Sequence, residues 1–148
     1  MKTATWTLPV IAAALCAQAF AHEGMDLPPG PIKDRHELME GIGANAKKIG
    51  EALKAKDMKA IPPAAGAIAD SARKIPSLFP PGSTNPNSRA KEEIWKDFPK
   101  FEKLSADLAV HADALAKAAN DGGDAGGAAK TMFGDCKACH DDFRVPED

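Results

Sequence analysis

The sequence has no tyrosine, and aromatic residues of all kinds make up only 5% of its 148 positions. β-Branched residues are scarce as well, and apolar and polar residues nowhere alternate over a useful length, so the pattern of a β-sheet protein is missing. The abundant alanine favours helix instead. Basic residues form no cluster and the formal net charge is −2, so no binding to nucleic acid is expected.

The N-terminus has the three parts of a secretion signal, namely a positive start, an apolar stretch over residues 8–20 and an A-x-A cleavage site that ends at Ala21. This stretch is shorter than the about 20 residues of a membrane span, and no other long apolar run follows it. We therefore predict that residues 1–21 are cleaved, that residues 22–148 form one periplasmic domain, and that it has no stable membrane insertion. Cys16 should leave with the signal peptide, since the preceding leucine is large for a lipoprotein signal; a lipid anchor is the alternative.

Proline and glycine divide the remaining chain into four predicted helices. Their bounds are about 31–54, 62–75, 91–120 and 125–144, with a proline-rich loop at 76–87. The first helix has an apolar stripe at alternating spacings of three and four residues, as in a helical bundle. Pro99 should kink the third helix or separate its first turn. The sequence thus predicts an all-α fold, a four-helix bundle with up-down-up-down topology.

The segment from Cys136 to His140 reads C-x-x-C-H, the attachment motif of c-type haem. Positions i, i+3 and i+4 of a helix share one face, so both sulfurs and the imidazole would meet the same flat ligand. Each of Cys136 and Cys139 would form a thioether with a porphyrin vinyl group, and His140 would bind the iron. A buried porphyrin would also fill a core that is rich in alanine and poor in aromatic residues. We predict one covalently attached haem c.

Three other interpretations of the cysteine pair fit less well. A redox-active C-x-x-C pair usually lies beside a βαβ pattern, which this sequence lacks. A zinc site needs a fourth ligand, and none of His22, His36 and His111 belongs to a second paired motif. A structural disulfide is common in exported proteins, but it does not account for the adjacent His140.

The motif lies in the last predicted helix and is followed by Asp141-Asp142-Phe143-Arg144, and in this the chain resembles class II c-type cytochromes, the cytochrome c′ and cytochrome c-556 family. The resemblance covers all of residues 22–148. It also rests on Ile32-Lys33-Asp34-Arg35 with Leu38-Met39, on Leu78-Phe79-Pro80-Pro81-Gly82-Ser83, and on Glu93-Ile94-Trp95 with Phe101. It implies a four-helix bundle that carries one haem with His140 as an iron ligand.

The resemblance implies two states for the other side of the iron. In the c-556 type, the methionine that matches Met39 is the sixth ligand, and Met39 lies on the inward stripe of the first helix. Methionine is also an ordinary core residue, so a five-coordinate haem is the alternative.

We predict a periplasmic electron carrier with a low-spin His140/Met39 haem, not an enzyme, that meets redox partner proteins transiently. The alternatives are a high-spin cytochrome c′ that binds nitric oxide or carbon monoxide, and a haem subunit of a larger complex; a homodimer is possible.

Other side chains are candidates for haem contact. Arg35 lies on the buried stripe one turn before Met39, where a haem propionate would be a suitable partner, unless it reaches to the bundle's end. Arg144 lies one turn after His140, either beside the haem or as a surface charge near a helix C-terminus. The rings of Phe79 and Phe101 either contact the porphyrin or only pack in the core. We predict no haem role for His111, which should be partly exposed, and none for His36, which points away from the stripe.

Overall fold

The structure is a computed structural model that describes residues 27–86 and 88–146. The predicted signal peptide and its cleavage site lie outside the described residues, as does His22. The α-helices are α1 (Pro31–Ala55), α2 (Ile61–Ala72), α3 (Glu93–Lys96), α4 (Phe98–Asp121) and α5 (Ala125–Phe143), and short 3₁₀ turns occur at Met58–Ala60 and Pro76–Leu78. Within the described residues, none of these helices is both long and apolar enough to cross a membrane.

The predicted all-α four-helix bundle is confirmed, with α1, α2, α4 and α5 as its members. Short connections join α1 to α2 and α4 to α5, so the helices of each pair run antiparallel. Lys56 ends α1 in the left-handed conformation (φ 56°), and its N–H donates back to Leu53. Gly122 does the same for α4, at φ 73°. Asp124 begins α5, since its carboxylate accepts from the N–H of Gly127 at 2.8 Å.

The break predicted at Pro99 is present. The third predicted helix is divided into the single turn α3 and the long helix α4, which starts at Phe98. The Asp97 carboxylate caps α4 by accepting from the N–H of Lys100 at 3.3 Å. Pro99 lies in the first turn, where its missing N–H leaves no helical hydrogen bond unmade.

Small side chains line the contact between α2 and α4. Ala65, Ala69 and Ala72 of α2 and Ala112 of α4 are almost fully buried, which allows the two helices to approach closely. The buried Ser105 hydroxyl donates to the carbonyl of Ala72 at 2.7 Å and so satisfies an end carbonyl of α2. Helix α1 packs on α2, α2 on α4 and α4 on α5. Among the described residues, α1 and α5 make hardly any direct contact, because a cavity separates them.

Candidate haem site

A cavity of about 500 Å³ lies between α1 and α5. Helix α1 contributes Ile32, Arg35, His36, Met39 and Glu40, and helix α5 contributes Cys139, His140 and Phe143. The connection between α2 and α4 adds Phe79 and the segment Ser88–Ala90. Every residue predicted to bind haem lines this cavity except Cys136, so predicted residues from α1, from the α2–α4 connection, from α4 and from α5 meet at one place.

Cys136 and Cys139 are one helical turn apart on α5, and no disulfide joins them. Both are half-buried and pack against the hydrophobic core, but only Cys139 lines the cavity. The sulfur of Cys136 lies 3.6 Å from the carbonyl oxygen of Met132, one turn earlier. Burial raises the pKa of both thiols, that of Cys139 to about 11, because the apolar surroundings disfavour a charged thiolate.

His140 follows Cys139 and lines the same cavity. Its pKa is lowered, mainly by burial and then by the positive charges of Arg144 and Arg89. A lowered pKa keeps the imidazole neutral at physiological pH, and the neutral ring is the form that binds a metal.

Arg35 is a buried cation on the wall formed by α1, opposite His140, and only 5% of its surface is exposed. Its guanidinium donates to the hydroxyls of Ser83 and Ser88 at 3.0 and 2.8 Å and lies 4.5 Å from the centre of the Phe79 ring. All of these partners are neutral, and among the described residues Arg35 forms no salt bridge. Burial alone lowers its pKa. A buried cation without a counter-ion is costly, so this wall of the cavity favours an anionic group on a ligand.

Three phenylalanine rings form one end of the cavity. The Phe101 ring makes edge-to-face contacts with Phe79 and Phe143, with ring centres 4.8 and 5.4 Å apart. Trp95 fixes the loop that carries Phe79, because its indole N–H lies 3.0 Å from the carbonyl oxygens of both Phe79 and Pro80. These rings form an apolar surface suited to a flat aromatic ligand.

The wall formed by α1 also contains Met39, which is half-buried and packs against the core. His36, which lies off the buried stripe of α1 and was given no haem role, also lines the cavity. His36 Nε2 lies 3.4 Å from the carboxylate of Glu40, one turn later, and both are at the cavity's rim. The cavity is therefore wider along α1 than the alternating stripe of apolar residues indicated.

The residues present fit a haem c. The volume of the cavity is within the range of cofactor sites, which is about 300–1,000 Å³. Its walls combine aromatic rings, a buried cation suited to a carboxylate, a half-buried thiol and a neutral imidazole. A sequence model described as Cytochrome C′ matches residues 30–144, which is most of the chain.

The chain belongs to the cytochrome c′ family.

Known proteins support this assignment across the whole bundle. A cytochrome c′ of Rhodopseudomonas palustris is 35% identical over 118 residues, which cover 77% of this chain and 81% of the relative. A cytochrome c-556 of Agrobacterium fabrum is 31% identical over 149 residues, which cover 98% and 97%. The solved structure of cytochrome c′ from Rhodopseudomonas palustris has a TM-score of 0.71 at 32% identity, with 82% of this chain and all of that chain covered.

Proteins of the cytochrome c′ family carry one covalently bound haem c with its iron. This protein is therefore a c-type cytochrome, a haem protein that transfers electrons or binds gas. The relatives include both cytochrome c′ and cytochrome c-556 at similar identity. Family membership alone thus leaves the coordination state of the haem iron open.

Several residues that line the cavity of this protein were not predicted from the sequence. Phe143 lies three residues after His140, and this helical spacing could have identified it. Ser88, Arg89 and Ala90 come from a loop without periodicity, so no pattern pointed to them. His111 is partly exposed, as predicted, and its Nδ1 lies 2.6 Å from the Asp135 carboxylate, which joins α4 to α5.

Proposed function

We propose that this protein is a periplasmic electron carrier whose single haem is attached through Cys136 and Cys139 and ligated by His140 and Met39. The observation that carries the proposal is that Met39 of α1 and His140 of α5 line one cavity from opposite helices. A thioether opposite an imidazole favours a haem of raised reduction potential. No catalytic role is assigned to any residue, and we propose no enzymatic activity.

The haem, when bound, supplies an iron that changes between the ferrous and ferric states. Cys136 and Cys139 would fix its position covalently, so that it cannot be lost outside the cytoplasm. Arg35 would pair with a propionate, and Phe79 and Phe101 would exclude water from one end. His140 and Met39 would remain bound in both oxidation states, which keeps structural change during electron transfer small.

A second candidate function is the binding of nitric oxide or carbon monoxide by a five-coordinate haem. It is favoured by the similarity to a relative named cytochrome c′. It is also favoured by the half-buried position of Met39, which contacts the core as an ordinary packing residue would. In this case Met39 would lie beside the iron without bonding to it. Arg144, which also lines the cavity, would then lie beside His140 on the opposite side.

The absorption spectrum of the oxidised protein tests the proposed function. We expect a low-spin haem with a weak far-red charge-transfer band, because ferric iron then has a sulfur ligand. A high-spin spectrum without that band would reject the His140/Met39 assignment and favour gas binding. Addition of carbon monoxide to the reduced protein gives an independent readout, since an open iron binds it readily and a six-coordinate iron resists it.

The proposal also covers the processing, the location and the partners of the protein. We infer cleavage after Ala21, one mature domain over residues 22–148, and a periplasmic location. Redox proteins would meet the haem edge through a small, transient interface, as is usual in electron transfer. A homodimer stays a prediction from the family resemblance, and a place in a larger complex stays a separate alternative. No role in nucleic-acid binding or stable membrane insertion is proposed.

Replacement of Arg35 by methionine tests the propionate contact. The free energy of unfolding of the haem-loaded protein should fall by roughly 1.5–3 kcal/mol, the range for a hydrogen bond to a charged group. The reduction potential should fall too, since loss of a nearby cation favours the ferric state. Urea denaturation and voltammetry measure the two effects. Arg73→Met is the matched control, because Arg73 pairs with Asp70 and Asp113 at the surface and should contribute less than about 1 kcal/mol. Equal effects of the two variants would argue against a propionate at Arg35.

A further inference from the structure

The C-terminal end of α5 is held by residues from a distant part of the chain. The last four carbonyl groups of an α-helix have no partner within the helix, and in α5 these belong to residues 140–143. The His140 carbonyl accepts from the N–H of Arg144 at 3.0 Å. The other three all accept from Lys91. Its ammonium donates to the carbonyls of Asp141 and Asp142 at 2.9 and 3.3 Å, and its backbone N–H donates to Phe143 at 3.0 Å.

Lys91 is the last residue of a segment that joins the two walls of the cavity, Ser88–Lys91, here called the crossover segment. At its first residue, the Ser88 hydroxyl accepts from the Arg35 guanidinium of α1 at 2.8 Å. Next to Lys91, Ala90 forms an isolated antiparallel bridge with Arg144. The crossover segment therefore connects the wall that contains Met39 with the end of the helix that contains His140.

We propose that Lys91 is a positioning residue that fixes the last turn of α5 and thereby the orientation of His140 toward the haem iron. A cation at a helix C-terminus is favourable both as a hydrogen-bond donor and toward the helix dipole. Two of the three carbonyls that Lys91 binds belong to the residues immediately after His140. Without the ammonium, those carbonyls would turn to water and the last turn would open more often. This inference rests on the proposed role of His140 as an iron ligand.

Three variants of the haem-loaded protein distinguish a role of Lys91 in orienting His140 from a general contribution to the stability of the fold. Lys91→Met removes the ammonium and keeps the length of the side chain, and Lys91→Arg restores a donor. Lys100→Met is the matched control, because Lys100 also contacts α5 from outside, but through the Asp142 carboxylate at 3.0 Å rather than a backbone carbonyl.

Urea unfolding is followed by far-ultraviolet circular dichroism for the helices and by Soret absorption for the haem ligands. In the unaltered protein we expect the two transitions to coincide. In Lys91→Met the Soret transition should move to lower urea than the loss of helix, and Lys91→Arg should bring the two together again. Hydrogen exchange at the amides of Arg144 and Val145 should quicken by about tenfold or more in Lys91→Met.

The outcomes that overturn the inference differ from those that overturn the proposed function. If Lys91→Met shifts both transitions together, Lys91 stabilises the fold without positioning His140. If Lys100→Met separates the transitions equally, any cation near α5 has the same effect. Absence of a Soret band from the unaltered protein would reject haem binding itself. In that case unchanged amide exchange in Lys91→Met would reject the role of Lys91 in holding α5.

Discussion

Replacement of both Cys136 and Cys139 by serine is expected to abolish covalent haem attachment completely. Serine keeps the size of the side chain but has no sulfur with which to form a thioether. The half-buried position of both thiols on α5, beside a cavity large enough for a cofactor, is the structural reason to expect attachment here. The mature polypeptide should carry the added mass of one haem in the unaltered protein and none in the double variant, as measured by intact mass after denaturation.

The single variants make this prediction sharper. Cys136→Ser and Cys139→Ser should each retain haem through the remaining sulfur, because the two bonds form on separate vinyl groups. Lys137→Ala is the control between the two cysteines; it removes only an exposed lysine that pairs with Asp141 at 2.5 Å, and it should keep the full haem mass. The prediction fails if the unaltered mature protein has the bare polypeptide mass and both of its thiols can be alkylated.

The helices were predictable because their signals are local. Apolar spacing located α1, and proline and glycine located the ends of the others. The break before Pro99 followed from the missing N–H of proline alone. The C-x-x-C-H motif is equally local, since Cys136, Cys139 and His140 lie within five positions of one helix. These parts of the fold and of the candidate haem site needed no knowledge of tertiary contacts.

The remaining cavity residues depend on contacts between distant segments. The bonds from Arg35 to Ser83 and Ser88 join positions 48 and 53 residues apart, and no periodicity relates a helix to a loop in this way. Lys91 likewise reaches α5 over a separation of 50 residues. His36 was missed for a different reason. The cavity is wider than the apolar stripe on α1, so its lining includes a side chain that lies off that stripe.

Replacement of Met39 by alanine is expected to change the haem from low-spin to high-spin. The far-red charge-transfer band of the oxidised protein should disappear, and the reduced protein should become able to bind carbon monoxide. The reduction potential should fall on the order of 100 mV, a moderate part of the about 0.8 V range that axial ligands control. A thioether opposite histidine raises the potential, so its loss lowers it. Absorption spectroscopy and voltammetry on one sample measure all three changes.

The control for this variant is a second methionine of similar burial. Met58 is also half-buried against the hydrophobic core, but it does not line the cavity. Met58→Ala should therefore lower the free energy of unfolding by less than the roughly 2–5 kcal/mol of a fully buried methionine, and leave the spectrum unchanged. Met39→Ala should change the spectrum whatever its effect on stability, because ligation and packing are separate properties of the same side chain. If the spectrum of Met39→Ala matches that of the unaltered protein, Met39 is only a packing residue. If that shared spectrum is high-spin, the iron is open in the native protein, and gas binding replaces electron transfer as the better account of its function.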